Sequence, residues 1–209
     1  MARARVSPVR RARWPPRTIA AALGAVASFL AASCPGAAAD SKPVTAILLT
    51  ARADVSDSDF ADSVVLVMNN LGPAPIGVIV NKPTAIPVAK LFPDLKRLAA
   101  LHDKLYFGGP VEFGSVWFVF RAPVAPEHAI QASDGLCISA DRDLLLHLLG
   151  REKPMEGLRI FVGHSGWAPG QLEAEIARGD WTLGRVESEA IFSKAEHPWP
   201  APRGPKDST

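Results

Sequence analysis

At 209 residues, with 48% hydrophobic and 21% charged residues, the chain is too apolar for a disordered polar segment and long enough for one cored domain. The net charge of +2 comes from 23 basic and 21 acidic residues, but six of the basic ones are Arg3, Arg5, Arg10, Arg11, Arg13 and Arg17, in a leader without acids. Without them the balance is 17 against 21, net −4, which excludes the long-range attraction that drives nonspecific nucleic-acid binding, so no direct nucleic-acid partner is expected.

The six arginines form a basic start, Thr18 to Ser33 is an Ala-rich apolar run, and Ala37-Ala38-Ala39 supplies small residues for cleavage before Asp40. This reads as an N-terminal signal peptide over 1–39. The apolar run is shorter than the roughly 20 residues of a membrane-crossing helix and is followed by Pro35, so no transmembrane span is expected in the mature protein. The expected location is therefore periplasmic or secreted, after cleavage near Ala39. A start codon assigned too early would instead give a cytoplasmic protein. Arg13 breaks a twin-arginine pattern at Arg10-Arg11, and the segment before Cys34 fits a lipoprotein box only loosely. After cleavage Cys137 alone remains, so no internal disulfide is expected; its apolar neighbours Leu136 and Ile138 point to a buried, inert thiol.

In the mature chain, Val44 to Thr50 reads as a buried strand, followed by a polar turn with a short helical piece at Asp54 to Asp62. Ser63 to Met68 and Ile76 to Val80 read as strands joined by the turn-forming Asn69-Asn70-Leu71-Gly72-Pro73-Ala74-Pro75, hence a hairpin. Asn81-Lys82-Pro83 ends the third strand, because proline cannot donate to a ladder. Val88 to Ala100 has helical spacing interrupted by Pro93. Leu105 to Phe107, Ser115 to Phe120 and Leu136 to Ser139 are further strands, and Ser139 is placed to cap a helix from Ala140 to Leu149 that Gly150 ends. A strand from Leu158 to Val162 leads into Gly163-His164-Ser165-Gly166-Trp167-Ala168-Pro169-Gly170-Gln171-Leu172-Glu173, with Pro169 in the first turn of a helix that runs to Arg178. Trp181 to Val186 is the last strand. Short strands mixed irregularly with three helices predict an α+β fold, one domain over 40–196, and a disordered proline-rich tail over 197–209.

Asp57-Ser58-Asp59-Phe60, Gly77-Val78-Ile79-Val80-Asn81-Lys82-Pro83, Tyr106-Phe107-Gly108-Gly109-Pro110-Val111 and Gly163 to Glu173 occur in an order and spacing that resembles the YqgE/AlgH family. The likeness covers about Val44 to Phe192. It implies a single compact domain with a strongly curved, barrel-like mixed sheet flanked by about three helices. It implies a regulatory connection without an established reaction or a DNA-binding motif. The chain departs from the family pattern in its export signal, in Arg121 where histidine is common, and in the proline-rich tail after Glu196.

Two chemistries compete at the long motif. Gly163-His164-Ser165 begins like a hydrolase nucleophile turn, which gives the alternative of a small serine hydrolase using Ser165 and His164. Against it, Trp167 occupies the place of the final glycine, so no catalytic residue is assigned. The other reading is a binding cleft. Unpaired amides at a helix N-terminus suit a phosphate or carboxylate, Gly108 and Gly109 allow close backbone approach, and Asn81 offers an amide. The candidate ligand residues are Asn81, Gly108, Gly109, Ser165, Gly166, Trp167, Gly170 and Gln171, and the expected partner is a small anionic ligand or a protein. A purely structural role is the competing explanation, with glycines in turns and Trp167 in the core. No cofactor is expected. The five histidines lack metal-ligand spacing, so no metal is expected either.

Overall fold

The computed structural model describes residues 46–52, 59–68, 74–193 and 199. The leader over 1–39, Asp57 and Ser58, the turn over 69–73 and the tail over 197–209 apart from Trp199 lie outside the described residues.

Ten strands are present among the described residues: β1 (Ala46–Ala51), β2 (Val64–Met68), β3 (Ile76–Ile79), β4 (Pro83–Pro87), β5 (Lys104–Phe107), β6 (Val111–Arg121), β7 (Ile130–Ser133), β8 (Leu136–Ser139), β9 (Leu158–Gly166) and β10 (Trp181–Gly184). They form one strongly curled half-barrel sheet in the order β10-β1-β2-β3-β9-β6-β8-β7, with β4 and β5 branching off beside β9. The pairing is antiparallel except between β5 and β9, so the sheet is mixed, as expected. Three α-helices accompany it: α1 (Arg142–Leu149), α2 (Gln171–Arg178) and α3 (Ser188–Phe192).

Both faces of much of this sheet are covered, which explains why β2 reads Val-Val-Leu-Val-Met with no polar residue and why all five are buried. Side chains alternate across a strand. Leu66, Met68, Val78, Val119, Ile138 and Phe161 therefore fill the concave side, where Ile191 of α3 joins them. Val65, Val67 and Ile79 face the other way and carry Leu172 of α2, Trp167 and Trp181. Farther along, Phe118, Phe120 and Ile160 pack against Leu145 and Leu149 of α1. Cys137 is buried in this outer layer, and burial pushes its thiol above the usual range.

Several boundaries differ from the sequence reading. Val88 to Ala100 is not one helix but two 3-10 segments, Val88–Lys90 and Lys96–Ala100, because Pro93 removes a donor between them. Their apolar residues Val88 and Leu98 are nevertheless buried. The cap of α1 is Asp141, whose Oδ1 accepts from the Leu144 amide; Ser139 Oγ accepts from the Asp141 amide one step earlier. β3 stops at Ile79, four residues before Pro83, and Pro83 instead opens β4, an edge strand that tolerates proline at its first position. β4, β7 and α3 had no sequence expectation, and β9 runs four residues beyond Val162. Trp199 packs half-buried against the inner core.

Candidate functional site

The long motif is the end of β9 and its exit into α2. One edge of β9 pairs with β6, from Leu158 opposite Phe120 to His164 opposite Val111. On the other side it is parallel to β5 at Phe161 and Val162, then antiparallel to β3 at Ser165 and Gly166. The change of neighbour occurs at Gly108. Its amide donates to Val162 O at 2.9 Å, and its carbonyl accepts from the Ile79 amide at 2.8 Å and from Ser165 Oγ at 3.1 Å. Two backbones press together there. A Cβ on Gly108 would collide with the Gly163 carbonyl, and one on Gly163 would collide with Gly109 O. Gly163 also has φ +71° and Gly109 φ +147°, conformations that side chains disfavour. The Gly-Gly-Pro and Gly-His-Ser segments are thus two sides of one contact.

This placement decides the hydrolase geometry. Ser165 is 0% exposed and its hydroxyl is spent on Gly108 O. His164 precedes it on the same strand, and consecutive strand residues point to opposite faces, so the imidazole is not aimed at Ser165 Oγ. Instead the ring lies 5.7 Å from that of Trp117. His164 is 9% exposed, and its buried Nδ1 has no hydrogen-bond partner among the described residues, nor has Ser115 Oγ on β6. Burial lowers its pKa below the ordinary value, opposed by the nearby Glu112 carboxylate. These groups sit where β6 bulges, from Val111 to Val116 against only His164 to Val162 on β9, with Glu112 at φ +48°. No sequence pattern pointed to Ser115 or Glu112.

The remaining candidates divide into separate places. Asn81 holds the end of β3: its Oδ1 accepts from the Val64 amide at 2.8 Å and its Nδ2 donates to Asp62 O at 2.7 Å. Trp167 is buried and ring-stacked with Phe60, and Trp181 meets both rings edge-on. The two indole N–H groups share one acceptor, Glu175 Oε2, at 2.9 Å each. At the start of α2, which begins two residues after Pro169, Gly170 is the left-handed N-cap. Gln171 Oε1 already accepts from the Ala168 amide, and its Nε2 donates to Glu175 Oε1. The structure brings Gly108, Gly109 and Ser165 together in one packed contact, while Gly166 is exposed at the end of β9 opposite Ile76, Trp167, Gly170 and Gln171 organise the turn into α2, and Asn81 clips β2 to the end of β3.

An open cleft of about 880 Å³ lies at the opposite end of β9. It is bounded by Pro83, Tyr106, Met155, Arg159 and Phe192, with Lys104 and Glu152 among its polar residues. Arg159 is 9% exposed, reaches across to Val80 O with Nη1 at 3.0 Å, and donates from Nη2 to Ser193 O at 3.1 Å. Its guanidinium lies 4.2 Å from the centre of the Tyr106 ring. Burial lowers its pKa, with Tyr106 acting in the opposite direction. The signal available in sequence was a lone arginine inside the apolar run Leu158-Arg159-Ile160-Phe161, a charge that needs a reason to be buried. Among the described residues, no group of His, Cys, Asp or Glu is arranged to hold a metal, and no helix is long and apolar enough to cross a membrane.

A family model described as AlgH-like matches residues 48–201. A UPF0301 protein of Methylococcus capsulatus is 34% identical over 149 residues, covering 70% of this chain and 81% of that protein. One of Chlorobium limicola is 32% identical over 155 residues, covering 73% and 81%. Among solved structures, the chain is similar to the solution structure of the AlgH protein from Pseudomonas aeruginosa, with TM-score 0.58, 22% identity and coverage of 78% and 85%. It is also similar to the crystal structure of protein DIP2367 from Corynebacterium diphtheriae, with TM-score 0.55, 28% identity and coverage of 71% and 78%.

Two outcomes follow from this geometry. Gly163→Ala must combine an unfavourable φ with a backbone collision, whereas Gly135, at φ +67°, has nothing within 4 Å of an added Cβ. In urea unfolding Gly135→Ala should cost about 1–2 kcal/mol, while Gly163→Ala should cost several times that or prevent folding. Equal losses would contradict the close crossing. For His164, the folded pKa lies below the unfolded value of about 6.5, so the unfolded chain takes up the proton first. Its contribution to stability is present above that value and is lost as pH falls through and below it, down to the folded pKa. His164→Gln should flatten this part of the stability-against-pH curve, as read by chemical denaturation across the acid range.

Proposed function

The chain belongs to the YqgE/AlgH family of AlgH-like proteins, and on that premise we propose that it is an exported domain that acts by binding a small anionic ligand or a protein, with a regulatory consequence, rather than by catalysis. Export rests on the basic, apolar and small-residue order of positions 1–39. The observation that carries the binding reading is the open cleft of about 880 Å³, a size in the range of small-molecule sites. The rival, a small serine hydrolase, would need Ser165 to leave its bond to Gly108 and His164 to turn through the sheet.

Native mass spectrometry of the protein recovered from its own compartment tests both parts. The expected species begins at Asp40 and carries a small anion or a bound protein that denaturation releases. An unprocessed cytosolic chain would remove export. Covalent labelling of the wild type, but not of Ser165→Ala, by a serine-directed fluorophosphonate would replace binding with hydrolysis.

A further inference from the structure

Arg159 places a charge inside the fold. A guanidinium has five N–H donors, and in Arg159 one goes to Val80 O and one to Ser193 O. No carboxylate among the described residues forms an ion pair with it. Burying a cation is costly unless an anion compensates, and two neutral carbonyls and a ring face supply only part of that compensation.

The surroundings narrow what can complete it. Arg159 is one of the residues that line the cleft, although it is only 9% exposed. Tyr106, Phe192, Met155, Leu101 and Pro83 supply an apolar and aromatic lining. A metal cation would be repelled by Arg159. Around the cleft Lys104 and Lys153 stand against Asp103, Glu152 and Glu156, with Lys153 directed at Glu156, 3.8 Å away, so the buried Arg159 is the cation these carboxylates leave without an ion pair. The planar fork of an arginine matches the two oxygens of a carboxylate or of a phosphate monoester.

We propose that Arg159 is the anion-recognising residue of this cleft and takes the carboxylate or phosphate of a small ligand whose apolar part lies against Tyr106 and Phe192. This rests on the binding reading above and adds to it a residue, a ligand class and an orientation. The backbone ties to Val80 and Ser193 fix the guanidinium in advance, so little side-chain freedom is lost when the anion arrives.

NMR titration of the processed protein with phenyl phosphate, benzoate and the neutral control phenol tests the assignment. The Arg159 Nε–H resonance and the Tyr106 ring signals should shift with at least one of the two anions and not with phenol, and the two anions separate phosphate from carboxylate preference. Arg159→Gln should weaken anion binding at least tenfold while leaving phenol unaffected, and Arg159→Lys, which keeps the charge but loses the fork, should fall between. If Arg159→Gln does not fold, the wild-type Nε–H shift decides. Anion-induced shifts confined to the Leu172 and Glu173 amides would overturn the assignment to Arg159 and leave the binding reading intact. Failure of both anions to bind would overturn it as well, and a ligand of other chemistry retained in native mass spectrometry would show that binding itself survives.

Discussion

The carbonyl of Gly108 holds the junction on which the fold turns. It accepts one bond from β3 and one from the side chain of Ser165 on β9, while the Gly108 amide donates to β9. A single residue thereby joins the end of β5 to both strands at the point where β9 changes partner. Each bond contributes only about 1 kcal/mol net, but the position is buried, so losing one would also strand a polar group. The arrangement exists because Gly108, Gly109 and Gly163 let two backbones approach where any Cβ would separate them. The curl of the sheet depends on this exchange of neighbours, since a β9 paired with β5 along its full length would exclude β3.

From that junction β9 runs to two chemically different ends. At one end, His164 and Ser115 leave polar atoms buried beside a bulge without partners among the described residues, and Phe113 stands 65% exposed with its ring stacked on Phe107. At the other, Arg159 carries a charge to the mouth of the cleft. Between them the strand is apolar and fully packed on both faces. Glu175 performs a related task outside the sheet, where its carboxylate receives both indole N–H groups and so fixes α2 over Trp167 and Trp181. The motif that resembles a nucleophile turn is therefore occupied by architecture, and the reactive-looking hydroxyl is part of the frame.

Much of the strand pattern was legible because it is local. The unbroken Val-Val-Leu-Val-Met of β2 announces a strand buried on both faces, and Gly150 and Gly179 mark helix ends. The family motifs gave the curved α+β architecture as well. What sequence could not show was pairing at a distance. Asn81 looked like a ligand amide because Val64, to which it is bonded, lies 17 positions away. Ser165 looked reactive because Gly108, its acceptor, is 57 positions away. Proline is ambiguous in the other direction: Asn81-Lys82-Pro83 reads as the end of a strand, yet Pro83 opens β4 at an edge where its missing donor costs nothing. Arg159 is visible in the sequence as a lone charge, but its meaning comes from the carbonyls of Val80 and Ser193, 79 and 34 positions away.

The Gly-Gly-Pro and Gly-His-Ser motifs form a structural crossing instead of a reactive turn. Native-state hydrogen exchange of individual amides addresses it most directly. The amides of Gly108 and Ile79, both bonded across this junction, should exchange only through global unfolding, at the same limiting free energy as the amides of β2. Exchange of Gly108 and Ile79 by local opening, at loop-like rates while β2 stays protected, would contradict it.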